Sequence, residues 1–300
     1  MAIDIKRRGF ASEVLGVEAD GVNASAAEKI GLADRIVGFE ECVRESDLVI
    51  LAVPAGVAVR MLPEVLDIFG QCPGRSDAHE SSERNAADRI GANETMKEDE
   101  CNGKCTKVVM DVCSTKERLV DVVRNHPMRR RYVATHPMAG TEYSGPWAAM
   151  PGLFDGRACI ICSREDSDND AVAVVERLYD VLNMRQIDLD ASSHDVHTAY
   201  VSHISHITSF ALALTVLDKE KNEKHIFDLA SGGFSSTVRL AKSSADMWVP
   251  IFSQNRDNVL KVTDTYIEMM MKFREAIASG DEDSVRSMIE EANRIRRILR

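Results

Sequence analysis

The sequence predicts an α/β domain followed by an all-α domain, with the boundary near Asp190. Up to Leu189, short runs rich in Val, Ile and Leu alternate with longer amphipathic segments, a pattern typical of strands joined by helices. From Ser193 onward the apolar residues recur at helical spacing, and no convincing strand remains. The chain has 300 residues, 44% of them hydrophobic, which is enough for a core in each of two domains. We therefore expect domains at residues 1–190 and 191–300.

The first part of the predicted sheet precedes residue 70. Glu13–Glu18 reads as a short apolar strand that ends in an acid, and a helix through Ala24–Ile30 follows it. Asp47–Pro54 is a near-continuous apolar run, as expected for a strand covered by helices on both faces. The segment Val57–Phe69 predicts the next helix. A strand that ends in an acid and leads into a helix is typical of the second strand of a dinucleotide-binding unit, so this part of the chain is Rossmann-like.

Residues 71–104 interrupt the alternation, because they are rich in Gly, Ser, Asn and charged residues and have almost no apolar periodicity. We predict an irregular surface insertion, disordered or loosely held. Cys72, His79 and Cys101, with the adjoining Cys105, are potential zinc ligands, but their spacing does not fit a zinc motif. The seven cysteines are odd in number and scattered, so we expect reduced thiols and no metal site.

Regular alternation resumes after the insertion. The remaining elements of the first domain are predicted, in chain order, as strand Lys107–Val112, helix Lys116–Asn125, strand Arg131–Ala134, strand Ala158–Cys162, helix Val172–Leu182 and strand Arg185–Leu189. In the second domain the longest helical patterns cover Ser193–Thr215 and Asn255–Ala278. Cys159 and Cys162 are an odd number of positions apart in a strand, which places them on opposite faces of the sheet.

The net charge of −11 makes nucleic acid and anionic membranes improbable partners, since both attract basic surfaces. The sequence has no apolar run of the roughly 18 residues that a membrane span requires, and its first residues lack the apolar core of a signal peptide. We therefore expect a cytoplasmic protein.

Three polar segments carry the chemistry: Asp111–Lys116, Thr135–Pro146 (THPMAGTEYSGP) and Ser202–His206 (SHISH). The first two follow predicted strands, where an α/β sheet presents its catalytic groups. Together the segments resemble the prephenate and arogenate dehydrogenases over nearly the whole chain. The resemblance implies an NAD-dependent oxidoreductase acting on prephenate or arogenate. It also implies an incomplete Rossmann-like dinucleotide-binding domain followed by a helical substrate-binding and dimerisation domain, and hence a homodimer.

NAD is the expected cofactor because Glu18 occupies the place of the acid that binds the adenosine ribose and repels the extra phosphate of NADP. Val53 and Pro54, at the end of the next predicted strand, and Ser114 complete the expected cofactor-binding set. The chain has no G-x-G-x-x-G turn, which in such domains holds the pyrophosphate at a helix N-terminus.

Compared with the family pattern, about twenty residues are missing before the first predicted strand, enough for a strand, a turn and most of a helix. Loss of that central strand should leave a gap between two apolar strands, unless the sheet closes up. Two explanations stay open. The start codon was placed too late or the gene product is truncated, or this family member has lost cofactor binding.

The resemblance implies that His136 is the catalytic base, because a neutral imidazole near pH 7 can accept the proton of the substrate hydroxyl. Ser114 matches the family serine that orients this histidine and contacts the nicotinamide region. A serine after a strand is also a common helix cap, and Glu117 follows at the spacing of a capping box. Both roles for Ser114 stay open.

The implied substrate-binding residues are His206, Arg239, Gly232, Ser202, Thr141, Glu142 and Trp248. Arg239 is expected to pair with a substrate carboxylate through parallel hydrogen bonds. Gly232 is expected to allow a close backbone approach, and Trp248 to lie near the pocket or to reach a neighbouring subunit's site. His206 is expected to meet the substrate side chain, whereas His194 holds the domain interface or the edge of the site. Both histidines could instead only cap buried hydrogen bonds.

The leading interpretation is a prephenate dehydrogenase that produces 4-hydroxyphenylpyruvate, with an arogenate dehydrogenase as the near alternative. An alternative of another class is a binding protein that keeps the prephenate pocket but lacks catalysis because it lacks the phosphate loop. A β-hydroxyacid dehydrogenase would require a catalytic lysine on the helical domain. Lys219, Lys221 and Lys224 lie in a charged segment and are poor candidates.

Overall fold

The computed structural model describes residues 1–71, 105–141, 143–221 and 225–298. It contains two compact units. The first comprises Met1–His194 and Ser243–Ile251, and the second comprises Asp195–Lys242 and Phe252–Arg300. The unit boundary falls inside a helix, a few residues after Asp190. The predicted insertion at 71–104 lies almost entirely outside the described residues.

The first unit is built around a five-stranded sheet and a separate pair of parallel strands. The pair is β1 (Leu15–Gly16) and β2 (Arg35–Ile36). The larger sheet has the order β3-β4-β5-β6-β7, formed by β3 (Leu48–Leu51), β4 (Val108–Asp111), β5 (Tyr132–Pro137), β6 (Ala158–Cys162) and β7 (Arg185–Leu189). Strands β3, β4 and β5 are parallel, β6 is antiparallel to β5, and β7 is parallel to β6. The α/β fold class predicted for this part of the chain is confirmed.

The antiparallel strand β6 has a local cause. A parallel neighbour needs a crossover that returns the chain to the opposite end of the strands, usually through a helix. In the described residues between β5 and β6 the helical structure is limited to a 3₁₀ turn at Pro146–Ala148, and the chain reverses at the same end of the strands. This places the start of β6 beside the end of β5, with His136 opposite Ile160.

The two sheets are separate, as expected if the missing first strand leaves a gap between apolar strands. Within the described part of the chain, neither β1 nor β2 joins the ladder of the larger sheet, so the sheet has not closed up. Both strands are only two residues long, much shorter than the apolar run Glu13–Glu18 suggested. β2 was not predicted, because a pair of residues such as Arg35 and Ile36 carries no periodic signal.

The helices of the first unit are α1 (Ala2–Arg7), α2 (Gly21–Lys29), α3 (Phe39–Glu45), α4 (Ala55–Gln71), α5 (Glu117–Val122) and α6 (Asn169–Val181). Most of them cover the two faces of the larger sheet, whereas α2 contacts β2 of the separate strand pair. The buried side of α4 packs on one face through Leu62, Leu66 and Phe69. α6 packs on the other face, together with Ile5 of α1. Cys162 lies in the first core and Cys159 in the second, which confirms their placement on opposite faces.

The helical part of the chain begins with one long helix. It consists of α7 (Ala191–Thr198), a π-helical turn (Ala199–His203) and α8 (Ile204–Glu220). The other helices are α9 (Gly232–Thr237), α10 (Ala245–Gln254), α11 (Arg256–Ser279) and α12 (Glu282–Ala292). α12 packs against α11, and α10 begins in the segment that belongs to the first unit.

The helix Ala191–Glu220 is long and apolar enough to cross a membrane by length and composition, and little of its apolar stretch is buried in the described structure. A single helix of this kind is weak evidence for a membrane span. Exposed apolar residues also occur on this helix, at Leu214 and Leu217, and at Met269–Met271 of α11.

Candidate active site

The most distinctive polar contact of the first unit joins two histidines. His136, near the carboxyl end of β5, is 8% exposed, and His194, on α7, is fully buried. His136 Nδ1 and His194 Nε2 are 2.8 Å apart, and the rings meet edge to face at 5.1 Å between centroids. The sequence predicted both residues near the site but did not predict that they contact each other.

This contact constrains the protonation states of both rings. One ring nitrogen must donate and the other accept, so a neutral pair has one of two tautomer arrangements. If His136 Nδ1–H donates to His194 Nε2, then the His136 Nε2 atom carries a lone pair and can take up a proton. The bond then becomes charge-assisted, which makes it stronger. His194 is thus suited to hold His136 as a proton acceptor.

A buried network lies directly behind His136. The carboxylate of Asp111, the last residue of β4, pairs with Lys116, and both side chains are fully buried. Asp111 Oδ2 accepts hydrogen bonds from Tyr132 Oη at 2.7 Å and from the backbone N of Thr135 at 3.3 Å. Lys116 Nζ donates to the carbonyl of Thr135 at 2.6 Å. Sequence analysis named Asp111 and Lys116 only as ends of a motif.

Burial in this region also decides which groups stay neutral. Burial, with the nearby Asp111 charge, raises the pKa of the Cys113 thiol to about 12. Burial likewise raises the pKa of Tyr132 and Tyr179 well above the usual value. Cys113 is therefore protonated near pH 7 and is a poor nucleophile, since the thiolate is the reactive form.

The predicted cofactor residues lie in loops that follow β1, β3 and β4. Val53 and Cys113 are brought together, because the Cys113 Sγ donates to the Val53 carbonyl at 3.7 Å. The Pro54 carbonyl accepts the first backbone bonds of α4. Glu18 is exposed beyond β1 and accepts from the backbone N of Asp20 at 3.0 Å.

Ser114, half-buried in the loop between β4 and α5, is not the cap of α5. The N-cap position is occupied by Lys116, without a side-chain cap bond. The capping-box interpretation of Ser114 and Glu117 was therefore wrong. The predicted start of this helix at Lys116 agrees with the structure to within one residue, since α5 begins at Glu117. The Lys116 side chain is bound in the buried network, and Asp111 Oδ1 accepts from the Cys113 backbone N at 2.8 Å.

The loop after His136 packs near the beginning of α2. Gly145 has φ +80°, and a side-chain carbon there would lie 3.7 Å from Asn23 Oδ1. Positive φ is accessible to glycine without strain. Thr141 Oγ1 accepts from the backbone N of Tyr143 at 3.3 Å. Glu142 lies outside the described residues.

In the second unit, the charge of Arg239 acts on His206, and both are predicted substrate-binding residues. His206 on α8 is half-buried, and its Nδ1–H donates to the carbonyl of Ser202 at 3.1 Å. Burial lowers the pKa of His206 below 6.5, the Ser202 bond opposes this shift, and the positive charge of Arg239 adds to it. His206 is therefore neutral near pH 7. Its Nε2 atom can accept a hydrogen bond close to a guanidinium charge.

The π-helical turn Ala199–His203 adds a residue to this helix just before His206. Such turns are frequent at functional sites because they re-aim the neighbouring side chains. His203 is buried, and its Nδ1 accepts from Asn255 Nδ2 at 3.2 Å. The same amide donates to the carbonyl of Asp195 at 2.7 Å. The Asn255 amide therefore links His203 to the Asp195 carbonyl inside the second unit. His206, in contrast, is only half-buried.

Gly232 and Trp248, two other predicted substrate-binding residues, belong to different units. Gly232 opens α9, and a side-chain carbon there would meet no described atom within 4 Å, so the packing of this chain does not require a glycine at that position. Trp248 on α10 is buried and belongs to the first unit rather than to the helical one. Its neighbour Pro250 approaches Gly56 at the start of α4.

Within the described ranges, no three His, Cys, Asp or Glu side chains converge as a metal site. Cys72, His79 and Cys101, the zinc ligands considered from the sequence, lie outside those ranges.

A mostly parallel sheet that presents polar side chains beyond its strands, followed by a helical unit, is the architecture of a two-part α/β and α-helical protein. Family comparison identifies its kind. Residues 1–71 and 92–187 match the family model "Prephenate dehydrogenase, nucleotide-binding domain", and residues 190–291 match "Prephenate dehydrogenase, dimerization domain". The chain belongs to the prephenate dehydrogenase family, so the family predicted from the sequence motifs is confirmed.

Individual relatives agree with this result. The prephenate dehydrogenase of Bacillus subtilis is 28% identical over 95% of this chain and 68% of its own length. The cyclohexadienyl dehydrogenase of Zymomonas mobilis is 26% identical over 91% of this chain and 83% of its own length. The crystal structure of Aquifex aeolicus prephenate dehydrogenase with hydroxyphenyl propionate and NAD⁺ has a TM-score of 0.78, with 24% identity over 100% of this chain and 93% of that one. This last similarity shows the fold.

Proposed function

We propose that the chain oxidises prephenate to 4-hydroxyphenylpyruvate, with loss of carbon dioxide and reduction of NAD to NADH. The observation that carries this proposal is the buried contact between His136 and His194 at the carboxyl end of β5, in a member of the prephenate dehydrogenase family. A buried imidazole held by a second imidazole is a proton acceptor with a fixed orientation.

The chemistry assigns a separate role to each ring. His136 Nε2 accepts the proton of the substrate's ring hydroxyl as hydride leaves the ring carbon that bears this hydroxyl. His194 keeps the other nitrogen of His136 hydrogen-bonded before and after the transfer. Loss of carbon dioxide then gives an aromatic ring, which provides the driving force. In the proposed mechanism, the Ser114 hydroxyl orients His136 for this proton transfer.

The chain has residues suited to the adenosine ribose and to the nicotinamide of NAD, but none of the expected type for its pyrophosphate. Glu18 is an exposed carboxylate beyond β1, suited to the adenosine ribose. Val53, Pro54 and Ser114 lie beyond β3 and β4, where the nicotinamide of such enzymes is bound. No G-x-G-x-x-G turn is present in the sequence to hold the pyrophosphate. When bound, NAD accepts the hydride; the protein side chains supply orientation and the base.

Substrate recognition is proposed to centre on Arg239 and His206. Arg239 supplies a positive charge for a carboxylate, and neutral His206 accepts a hydrogen bond beside it. The wider proposed set adds Ser202, Thr141, Glu142, Gly232 and Trp248. A family dimerisation domain supports a homodimer, which sedimentation analysis would test. A cytoplasmic location remains a prediction, to be checked by cell fractionation.

A second candidate is oxidation of arogenate, which differs from prephenate by an amino group in place of the side-chain keto oxygen. The similarity to a cyclohexadienyl dehydrogenase favours keeping this candidate. The residues described leave open which of the two substrates is preferred, so both must be assayed.

The test is to mix the protein with prephenate or arogenate at millimolar NAD and to follow NADH absorbance. NADH formation with release of carbon dioxide supports the proposal, and the faster substrate decides between the candidates. His136→Asn should lower turnover about a hundredfold or more with little change in prephenate binding. Prephenate binding by calorimetry without any NADH formation would instead show a non-catalytic binding protein.

A further inference from the structure

The buried ion pair between Asp111 and Lys116 is the strongest polar feature that the proposed chemistry does not use. Both side chains are fully buried. Taking two charges out of water costs several kcal/mol per ion, and apolar replacement of such pairs is often neutral for stability. A buried ion pair is therefore weak evidence for a role in stability alone, and its other contacts indicate what it does.

The contacts of the pair converge on one peptide of β5. Lys116 Nζ donates to the carbonyl of Thr135 at 2.6 Å, and this carbonyl belongs to the peptide that joins Thr135 to His136. Asp111 Oδ2 accepts from the Thr135 backbone N at 3.3 Å, and the Asp111 carbonyl accepts from Thr135 Oγ1 at 2.5 Å. Both backbone polar groups and the hydroxyl of Thr135 are thus bound by these two residues.

The regular ladder does not reach this point. Strand β5 pairs with β4 at Tyr132 and Val133, whereas its pairing with β6 continues to Pro137. On the β4 side, the backbone of Thr135 is held by the side chains of Asp111 and Lys116. The segment that carries His136 is therefore positioned on that side by the ion pair.

The same pair also fixes the loop that carries Ser114. Asp111 Oδ1 accepts from the Cys113 backbone N at 2.8 Å, and Lys116 is the N-cap residue of α5. The network consequently links the Ser114 loop to the peptide before His136.

We propose that Lys116, held by Asp111, is a positioning residue that sets the location of His136 relative to the Ser114 loop. This inference rests on the proposed function, since it assigns catalytic value to that location. Displacement of a reacting group by about 1 Å can lower a rate by about a hundredfold, whereas substrate contacts made elsewhere are unaffected. Loss of the pair should therefore lower kcat more than it changes KM.

The main variant is Asp111→Asn with Lys116→Met, which removes both charges at similar volume and leaves no uncompensated buried ion. We expect a folded protein whose kcat is about 10- to 100-fold lower, with KM for prephenate and NAD changed less than about threefold. The nitrogen resonances of the His136 ring, assigned by their loss in His136→Asn, should also move. Wild-type kcat and unmoved His136 resonances in the folded double variant would overturn the proposal.

Arg131→Met is the matched control. Arg131 is a buried cation at the opposite end of β5, where it donates to the carbonyls of Lys107 and Thr106 and pairs with Asp170. Its loss should lower stability but leave kcat and the His136 resonances of the folded protein unchanged. If Arg131→Met lowers kcat as strongly as the double variant does, the effect is a general one of buried cations and the proposal fails.

Tyr132→Phe is the second variant, and the His136 resonances are a readout that does not depend on activity. If the double variant does not fold, Tyr132→Phe removes only a hydroxyl from Asp111. It should lower kcat about two- to fivefold and move the His136 resonances. An unchanged kcat with unmoved resonances there would also overturn the proposal. If wild-type protein oxidises neither substrate, the proposed function fails, while the resonances still decide whether Lys116 positions His136.

Discussion

Replacement of His194 by Phe tests whether the contact between the two histidines contributes to turnover. Phe retains the approximate volume of the buried ring but has no nitrogen to bond His136 Nδ1. The substitution therefore removes the hydrogen bond to His136, 2.8 Å long in the structure, and leaves His136 in place.

The expected loss follows from the change in charge during the reaction. A neutral hydrogen bond contributes about 0.5–1.5 kcal/mol, and one to a charged group about 1.5–3 kcal/mol. The bond is neutral before His136 takes up the proton and charged afterwards, so about 1–2 kcal/mol is gained as the proton moves. Since about 1.36 kcal/mol corresponds to a factor of ten, kcat should fall about 5- to 30-fold.

The assay is steady-state NADH formation at saturating prephenate and NAD, with folding checked by circular dichroism. His194→Gln should recover most of the loss, because its amide oxygen can accept from His136 Nδ1–H. His126→Phe is the matched control, since His126 precedes β5 at the end opposite to His136 and bonds Asp67. It should leave kcat unchanged.

A double variant gives the refuting result. In a His136→Asn background the base is already lost, so adding His194→Phe should have little further effect on kcat. The reasoning is wrong if His194→Phe retains kcat within about twofold of wild type, or if the two losses multiply independently.

Three further predictions concern substrate, cofactor and pH. Arg239→Ala should raise KM for prephenate about tenfold or more while KM for NAD stays constant, and equal weakening of both would indicate a role in the fold. Glu18→Ala should improve the use of NADP relative to NAD, measured as the ratio of kcat/KM values; an unchanged ratio would remove Glu18 from the ribose site. Because the pKa of His206 is lowered on folding, its contribution to stability is present above the unfolded value of 6.5 and is lost as pH falls through the lowered folded value. Urea titrations should therefore show a weaker dependence of stability on pH below 6.5 in His206→Gln than in wild type.

Local patterns in the sequence were sufficient for most elements of the first unit. The strand predicted at Arg185–Leu189 has those bounds in the structure, and Ala158–Cys162 likewise. Arg185–Leu189 lies at the edge of the sheet and is only partly buried. Ala158–Cys162 carries its own signal, because a near-continuous apolar run is typical of a strand covered on both faces. The motif around His136 was recognisable for the same reason, since a polar loop directly after a buried strand is a local feature.

Relations between distant segments required the tertiary structure. β2 is too short to leave a periodic signal, and the reversal of β6 depends on a connecting loop that lacks a crossover helix. The capping-box spacing of Ser114 and Glu117 was also no guide to the cap, because Lys116 occupies the N-cap position of α5 while its side chain is buried beside Asp111.

The sequence by itself determined the family, most strands and helices of the first unit and the identity of His136 as a candidate base, because each is encoded in residues that are close together in the chain. Only the tertiary structure decided that His194 bonds His136 and that Lys116 holds the peptide before it. The physical reason is that a hydrogen bond depends on distance and direction in space, and these are set by how β5, α7 and the β4–α5 loop pack.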